Sequence, residues 1–233
     1  MSDQSWPRLG AIAGILYVVL QFVGFGIVGA SVGTLTDLTS SDQQIARAFE
    51  RPSATAVWVG LYLGVLAFLL FVVFATRLCA TLRRAEGGSG WISAAAFGSG
   101  LLYVALSLLS LGLIGVSRLE AGSGIDLGTA RLLTHLTSGI HAITWGVAAL
   151  FLLLTAGVVL RTGVLRRWLG RSAGAIAVAL LLAMAMPASG FAQFLAFLLP
   201  LWILATSIAL LRRSDLTHPA MRSEYASQPS TAA

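Results

Sequence analysis

Six apolar runs, closed by arginines or turn residues, constrain this chain more than any other feature. They cover residues 9–33, 55–82, 91–117, 132–160, 172–186 and 191–211. A helix needs about 20 apolar residues, at 1.5 Å each, to cross about 30 Å of hydrocarbon. Four runs exceed that, and the excess implies tilt or projection beyond the core. The fifth is short, and only Pro187-Ala188-Ser189-Gly190 separates it from the sixth. One span there would need about 40 apolar residues with a turn in the middle, so a hairpin is the economical reading. The expectation is an all-α, membrane-spanning bundle of six transmembrane helices over residues 1–213. Residues 214–233, rich in Ser, Pro and Ala, are expected to form a disordered tail.

Composition agrees. Hydrophobic residues make up 57% of the chain and charged residues 10%, against about 25% charged in a soluble domain. The net charge is +6, and every one of the fifteen basic residues is Arg. They stand at the ends of apolar runs, so they are read as topology signals and not as a nucleic-acid footprint. With the N-terminus inside, eleven of the fifteen fall on cytoplasmic segments, including the pairs Arg83-Arg84, Arg166-Arg167 and Arg212-Arg213. Both termini are therefore expected in the cytoplasm, with the chain in the cell inner membrane. The first run is too long for an ordinary signal-peptide core, which favours an uncleaved first span. Cys79 is the sole cysteine, which excludes an intramolecular disulfide or a structural zinc site.

Between the first two spans, Ser41-Asp42-Gln43-Gln44 has the form of a capping box, followed by Ile45, Ala48 and Phe49 on one face. A short amphipathic helix over 42–50 is expected, ended by Pro52. The stretch 86–90, Glu-Gly-Gly-Ser-Gly, is read as a flexible cytoplasmic turn.

Motifs for chemistry are scarce. Gly24-Phe25-Gly26-Ile27-Val28-Gly29 fits GxGxxG, yet it lies inside a span with no preceding strand, where no phosphate reaches it. Glycines four apart recur, and Gly60/Gly64 lies well inside its span, which makes it the best candidate for close helix packing. At 100° per residue, Arg131, Thr134, His135, Ser138, His141 and Trp145 share an arc of about 120°. Two readings of that stripe stand: a site facing the bundle interior, or helical turns that start outside the hydrocarbon and are simply wet. Gln21, near the middle of the first span, is a candidate for interhelical hydrogen bonding. Pro200 predicts a kink around 196–200 in the sixth span, since proline removes a backbone bond to the carbonyl four residues back. No Asp or Glu lies in any apolar run, which counts against a proton- or ion-coupled transporter. HExxH, CxxC and P-loop patterns are absent.

Trp6-Pro7-Arg8-Leu9-Gly10, Ile45-Ala46-Arg47 and the loop phrases 82–88, 90–91 and 160–170 give the chain a resemblance. It resembles a family of uncharacterised six-span integral membrane proteins from high-GC bacteria, a domain of unknown function. That resemblance implies a fold and no activity, since its phrases carry no catalytic residues. The functional expectation is a non-enzymatic membrane component (a subunit, modulator or sensor) with no cofactor or metal. Its expected partners are the lipid bilayer and a second copy or another membrane protein. The alternative is a small-molecule or lipid-handling transporter.

Overall fold

Inside hydrocarbon every backbone N–H and C=O must be paired within the chain, so an apolar run of span length becomes a helix. The computed structural model describes residues 6–32, 40–48, 53–120, 126–186, 194–195 and 197–216. Among them are α1 (Trp6–Val32), α2 (Asp42–Ala48), α3 (Ala54–Glu86), α4 (Trp91–Glu120), α5 (Leu127–Thr162), α6 (Arg167–Ala185) and α7 (Leu198–Leu216), with no strand among the described residues. Five of these, α1 and α3–α6, are long and apolar enough to cross a membrane, and α7 carries a shorter apolar stretch. The chain is thus an all-helical bundle of the multi-pass membrane type.

The helices run past the apolar runs because polar caps, not the edges of hydropathy, end them. Ser53 accepts from the Ala56 N–H at 3.4 Å at the start of α3. Asp126 accepts from the Thr129 N–H at 3.0 Å and from its hydroxyl at 2.6 Å, and these bonds hold its carboxyl below the ordinary aspartate range. That cap starts α5 five residues before the apolar run that was expected to define it. Gly163, left-handed at φ 65°, ends α5 by donating to the Val159 carbonyl. The fifth span, expected to begin at 172, begins at Arg167, because its first turn carries the arginines that flank the apolar run.

The 86–90 segment is a built turn and not a loose one. Gly87, Gly88 and Gly90 all have positive φ, and the Glu86 carboxylate crosses it to cap α4. It accepts from the Ile92 N–H at 3.0 Å, the Ser93 N–H at 2.9 Å and the Ser93 hydroxyl at 2.5 Å. Charge-assisted bonds to free N–H groups at a helix start are strong. Glu86→Ala is therefore expected to lower the thermal unfolding midpoint of the bundle. Thermal unfolding in micelles should show Glu86→Gln, which keeps an acceptor, recovering part of that loss.

The sixth apolar run also differs from expectation. Its helix begins at Leu198, so Pro200 is the third helical residue and not a mid-span residue. There its missing N–H is one of the unbonded donors of a first turn, and no interior bond is lost. Phe194 and Leu195 are helical, and the Leu201 N–H reaches back to the Phe197 carbonyl. Ala196, within the expected kink, lies outside the described residues, as do the 187–190 turn and the tail from 217.

Each spanning helix packs on the next in the chain, α7 packs back on both α1 and α6, and α3 also touches α5, so the six close into a ring. Exposed aromatics mark both ends of it: Trp91 and Trp168 beside the arginines, and Trp58 and Tyr62 at the end that carries α2. Along α3, Tyr62 and Arg83 are about 31 Å apart at 1.5 Å per residue, the thickness of a hydrocarbon core.

Candidate polar site between the helices

Aromatic residues fill the middle of the ring. Phe71 of α3 lies 5.4 Å from Tyr17 of α1, 5.2 Å from Tyr103 of α4, 5.8 Å from Phe151 of α5 and 6.1 Å from Phe74, ring centre to ring centre. Trp202 of α7 meets Phe151 edge-on at 6.3 Å. Its indole N–H donates to the Leu169 carbonyl at 3.0 Å, tying α7 to the start of α6. The phenols of Tyr17 and Tyr103 satisfy each other at 3.1 Å across the interior. All of these side chains are buried.

Contacts fix the helix register around this layer. Tyr17 opposite Tyr103 puts Gln21 level with Ser107, one turn further towards α2 on each helix. Gly100 against Phe151, on neighbouring helices of opposite direction, puts Ser110 level with His141 and Trp145 within two turns of Tyr103. Gln21, Ser107, Ser110, His141 and Trp145 thus share one layer just beyond the aromatic rings. Tyr17 against Phe71 also makes Gln21 level with Ala67, about 8 Å on the membrane side of Tyr62.

That register divides the α5 stripe. Arg131 lies beyond the Trp58–Tyr62 girdle and His135 level with Trp58, while His141 lies on the membrane side of both. Arg131 forms an ion pair with Asp42 of α2, both half-exposed. The wholly buried Ile45 of α2, one turn on, completes this docking on α5. The expected capping box is present in α2: the Ser41 N–H donates to Gln44 Oε1 at 2.8 Å and the Gln44 N–H to Ser41 Oγ at 3.3 Å. Phe49 lies outside the described residues. Thr134, expected on the same stripe, is buried and bonds back to its own helix at the Ala130 carbonyl, whereas His135 is exposed and Ser138 half-buried.

His141 occupies the centre of α5's buried arc, between Ala148 and Leu152 in angle, yet its ring is exposed. The inward face of α5 is therefore open at that level. Gln21 lies equally at the centre of the buried arc of α1 defined by Gly14, Tyr17 and Val18, and is only part-buried. Near its last residues α6 has Met184 sulfur against Gly146, and the chain enters α7 with Phe197 stacked on Phe22 at 5.7 Å. On the α2 side of that level, no described spanning helix stands between α1 and α5.

Three polar atoms of the layer are sealed from the surface and meet no hydrogen-bond partner among the described residues: Gln21 Oε1, Ser110 Oγ and Trp145 Nε1. His141 touches the Trp145 ring edge-on at 5.3 Å. Thr155, Thr206 and Ser207, towards the arginine end, also carry sealed hydroxyls without a partner. A serine or threonine hydroxyl can rotate onto the carbonyl four residues back, as Thr144 does at 2.8 Å. Gln21 Oε1 is an acceptor and the Trp145 indole only a donor; neither has that escape.

Sequence reasoning singled out Gln21 and His141 separately; the register brings them to one level. It missed the inward polar face of α4, where Ser99, Tyr103, Ser107, Ser110 and Ser117 are all buried, although their three-, four- and seven-residue spacing was readable. It also read Arg77 only as a topology signal, whereas the side chain packs along α1 at Gly10, about 9 Å inside Arg83. Gly60 and Gly64 are both buried in α3. A Cβ at Gly64 would stand 2.7 Å from Leu111 of α4, and the Gly60 carbonyl lies 3.3 Å from where a Cβ on Gly24 of α1 would be. No group of three His, Cys, Asp or Glu capable of holding a metal occurs among the described residues. Comparison with protein-family models, with curated proteins and with solved structures finds no match.

Proposed function

We propose that this chain is a six-span protein of a bacterial inner membrane, with both termini cytoplasmic and belonging with the six-span family it resembles. In this reading it acts as a non-catalytic membrane component, sensing or modulating through packing and binding. The aromatic layer carries the argument. A transporter must offer its substrate a path from one face to the other, and here Phe71 and its four ring neighbours close the middle of the bundle. Interiors packed at this density do not part without moving whole helices. The polar atoms without partners beyond the layer, Gln21 Oε1 and Trp145 Nε1, favour a second reading, a small-molecule or lipid-handling transporter.

Two measurements test this. In a background lacking Cys79, single cysteines at Ser40 and Ser123 should label from outside, and those at Ser89 and Ser227 only after permeabilisation. Reversed labelling overturns the threading. Proteoliposomes should show no protein-dependent flux of small uncharged solutes, and saturable flux would replace the first reading by the second.

A further inference from the structure

We propose that the exposed start of α6 is a site for an anionic phospholipid, with Arg167 and Arg171 holding the headgroup phosphate and Trp168 beside it at the interface. The inference goes beyond the sensing reading. It needs only that the chain is embedded in a membrane, in either orientation, so the labelling pattern and this site can fail separately.

α6 opens with Arg167-Trp168-Leu169-Gly170-Arg171. Arg167 and Arg171 stand one helical turn apart, and at 100° per residue they share with Trp168 an arc of about 100°. All three side chains are exposed, while Leu169, Gly170 and Ala173 turn the other way and are buried. Neither arginine forms an ion pair among the described residues. The carboxylates whose side chains are described are engaged elsewhere: Asp42 with Arg131, Asp126 in the α5 cap and Glu86 in the α4 cap. Two guanidinium groups a turn apart suit a phosphate, which accepts hydrogen bonds on several oxygens. The face beyond the arginines decides for a lipid over a free anion. Ala175, Val178 and Leu182 continue the same arc and are exposed. From Arg171 to Leu182 is about 16 Å at 1.5 Å per residue, half the thickness of a hydrocarbon core. A phosphate held at the arginines thus has an apolar track for one acyl chain, leading towards the middle of the bilayer. Trp168 stands at headgroup level, where an indole is favoured. Charge sets the class of lipid: arginines without carboxylates complement a headgroup with net negative charge, and gain less from a zwitterionic one.

The test titrates the full chain in detergent micelles with dioleoyl phosphatidylglycerol or dioleoyl phosphatidylcholine, and counts bound lipid by native mass spectrometry. Wild type should hold phosphatidylglycerol about tenfold more tightly than phosphatidylcholine. Arg167→Gln/Arg171→Gln should weaken phosphatidylglycerol by about 25-fold, fivefold per arginine, and leave phosphatidylcholine unchanged. Arg167→Lys/Arg171→Lys keeps the charge and should recover most of that loss. Arg84→Gln/Arg212→Gln makes the same charge change at exposed arginines of α3 and α7 and should leave the preference in place. Thermal unfolding shows which variants are folded; if the glutamine pair is not, Arg171→Gln alone should show the fivefold loss. Four outcomes overturn the proposal. They are no preference for phosphatidylglycerol by wild type, an affinity untouched by the glutamine substitutions, an equal loss in the Arg84/Arg212 variant, or displacement of the lipid by millimolar inorganic phosphate. The third would mark a diffuse attraction of charge, and the last an anion site that does not need a lipid.

Discussion

Gly14→Leu is expected to leave no recoverable folded protein. Gly14 lies where α1 is pressed between α3 and α7. A Cβ there would stand 2.6 Å from the Phe74 ring and collide with the Ser207 hydroxyl. The hydroxyl can turn aside, but the ring cannot. Phe74 is wholly buried and backed by Phe71 at 6.1 Å. Helices in lipid associate by close packing and not by expulsion of water, so a bulky side chain at such a contact removes the source of the association. Gly14→Ala should cost about 1–3 kcal/mol, the usual range for overpacking, and Gly14→Leu should prise α1 from both neighbours and open the ring. Gly112 of α4 is the control: it is exposed with open space around it, so Gly112→Ala should leave the unfolding midpoint unchanged or raise it. The glycines of the 86–90 turn would be poor controls, since Gly87 combines φ 67° with ψ −172°, a conformation other residues avoid. Yield of monodisperse protein and the unfolding midpoint report both substitutions.

Phe71→Ala is expected to combine a large loss of stability with a leak. Four rings lie within 6.1 Å of Phe71, centre to centre, so truncation leaves a hole that no single neighbour can fill. In a soluble protein such a change costs about 3–5 kcal/mol. In the bilayer the transfer part is reduced, because lipid is as apolar as the core. A residual cavity of about 100 Å³ at ~24 cal/mol per Å³ still costs about 2.4 kcal/mol. The hole also opens the ring layer that closes the middle of the bundle, so small uncharged solutes should cross proteoliposomes faster with Phe71→Ala than with wild type. Full stability would mean that the rings are not the keystone of the interior. Lost stability without added permeability would mean that the closure of the ring lies elsewhere.

The sequence was most informative where one physical constraint acts alone. Apolar length against bilayer thickness located the spanning segments. The Ser41–Gln44 box located α2, because the capping groups are neighbours in the chain. Helix ends were legible only where the cap was local. Asp126 extends α5 beyond its apolar run, since hydropathy marks the edge of hydrocarbon while a capping bond marks the end of a helix, and α6 starts at Arg167 with no side-chain cap. The Glu86 cap escaped notice because its carboxylate reaches six and seven residues ahead. Pro200 stands in the first turn of α7 and not in mid-helix, and the expected kink at 196–200 reaches Ala196, outside the described residues.

What the sequence by itself determined is a chain that must bury its backbone polar groups in helices and its surface in lipid. Periodicity also determined which side chains share a face of one helix, as with Arg131, His135 and His141. What only the tertiary structure decided is the relation between faces of different helices. Gln21 and His141 are 120 positions apart, and nothing local links them. Their common level follows from the Tyr17–Tyr103 bond and the Gly100–Phe151 contact, each set by packing between helices. The division of the α5 stripe was equally beyond the sequence: Arg131 is claimed by Asp42 of α2, while His141 meets the Trp145 ring edge-on. Side-chain periodicity is a property of one helix, but what a face meets depends on the lengths and register of its neighbours, and those are fixed only when the ring closes.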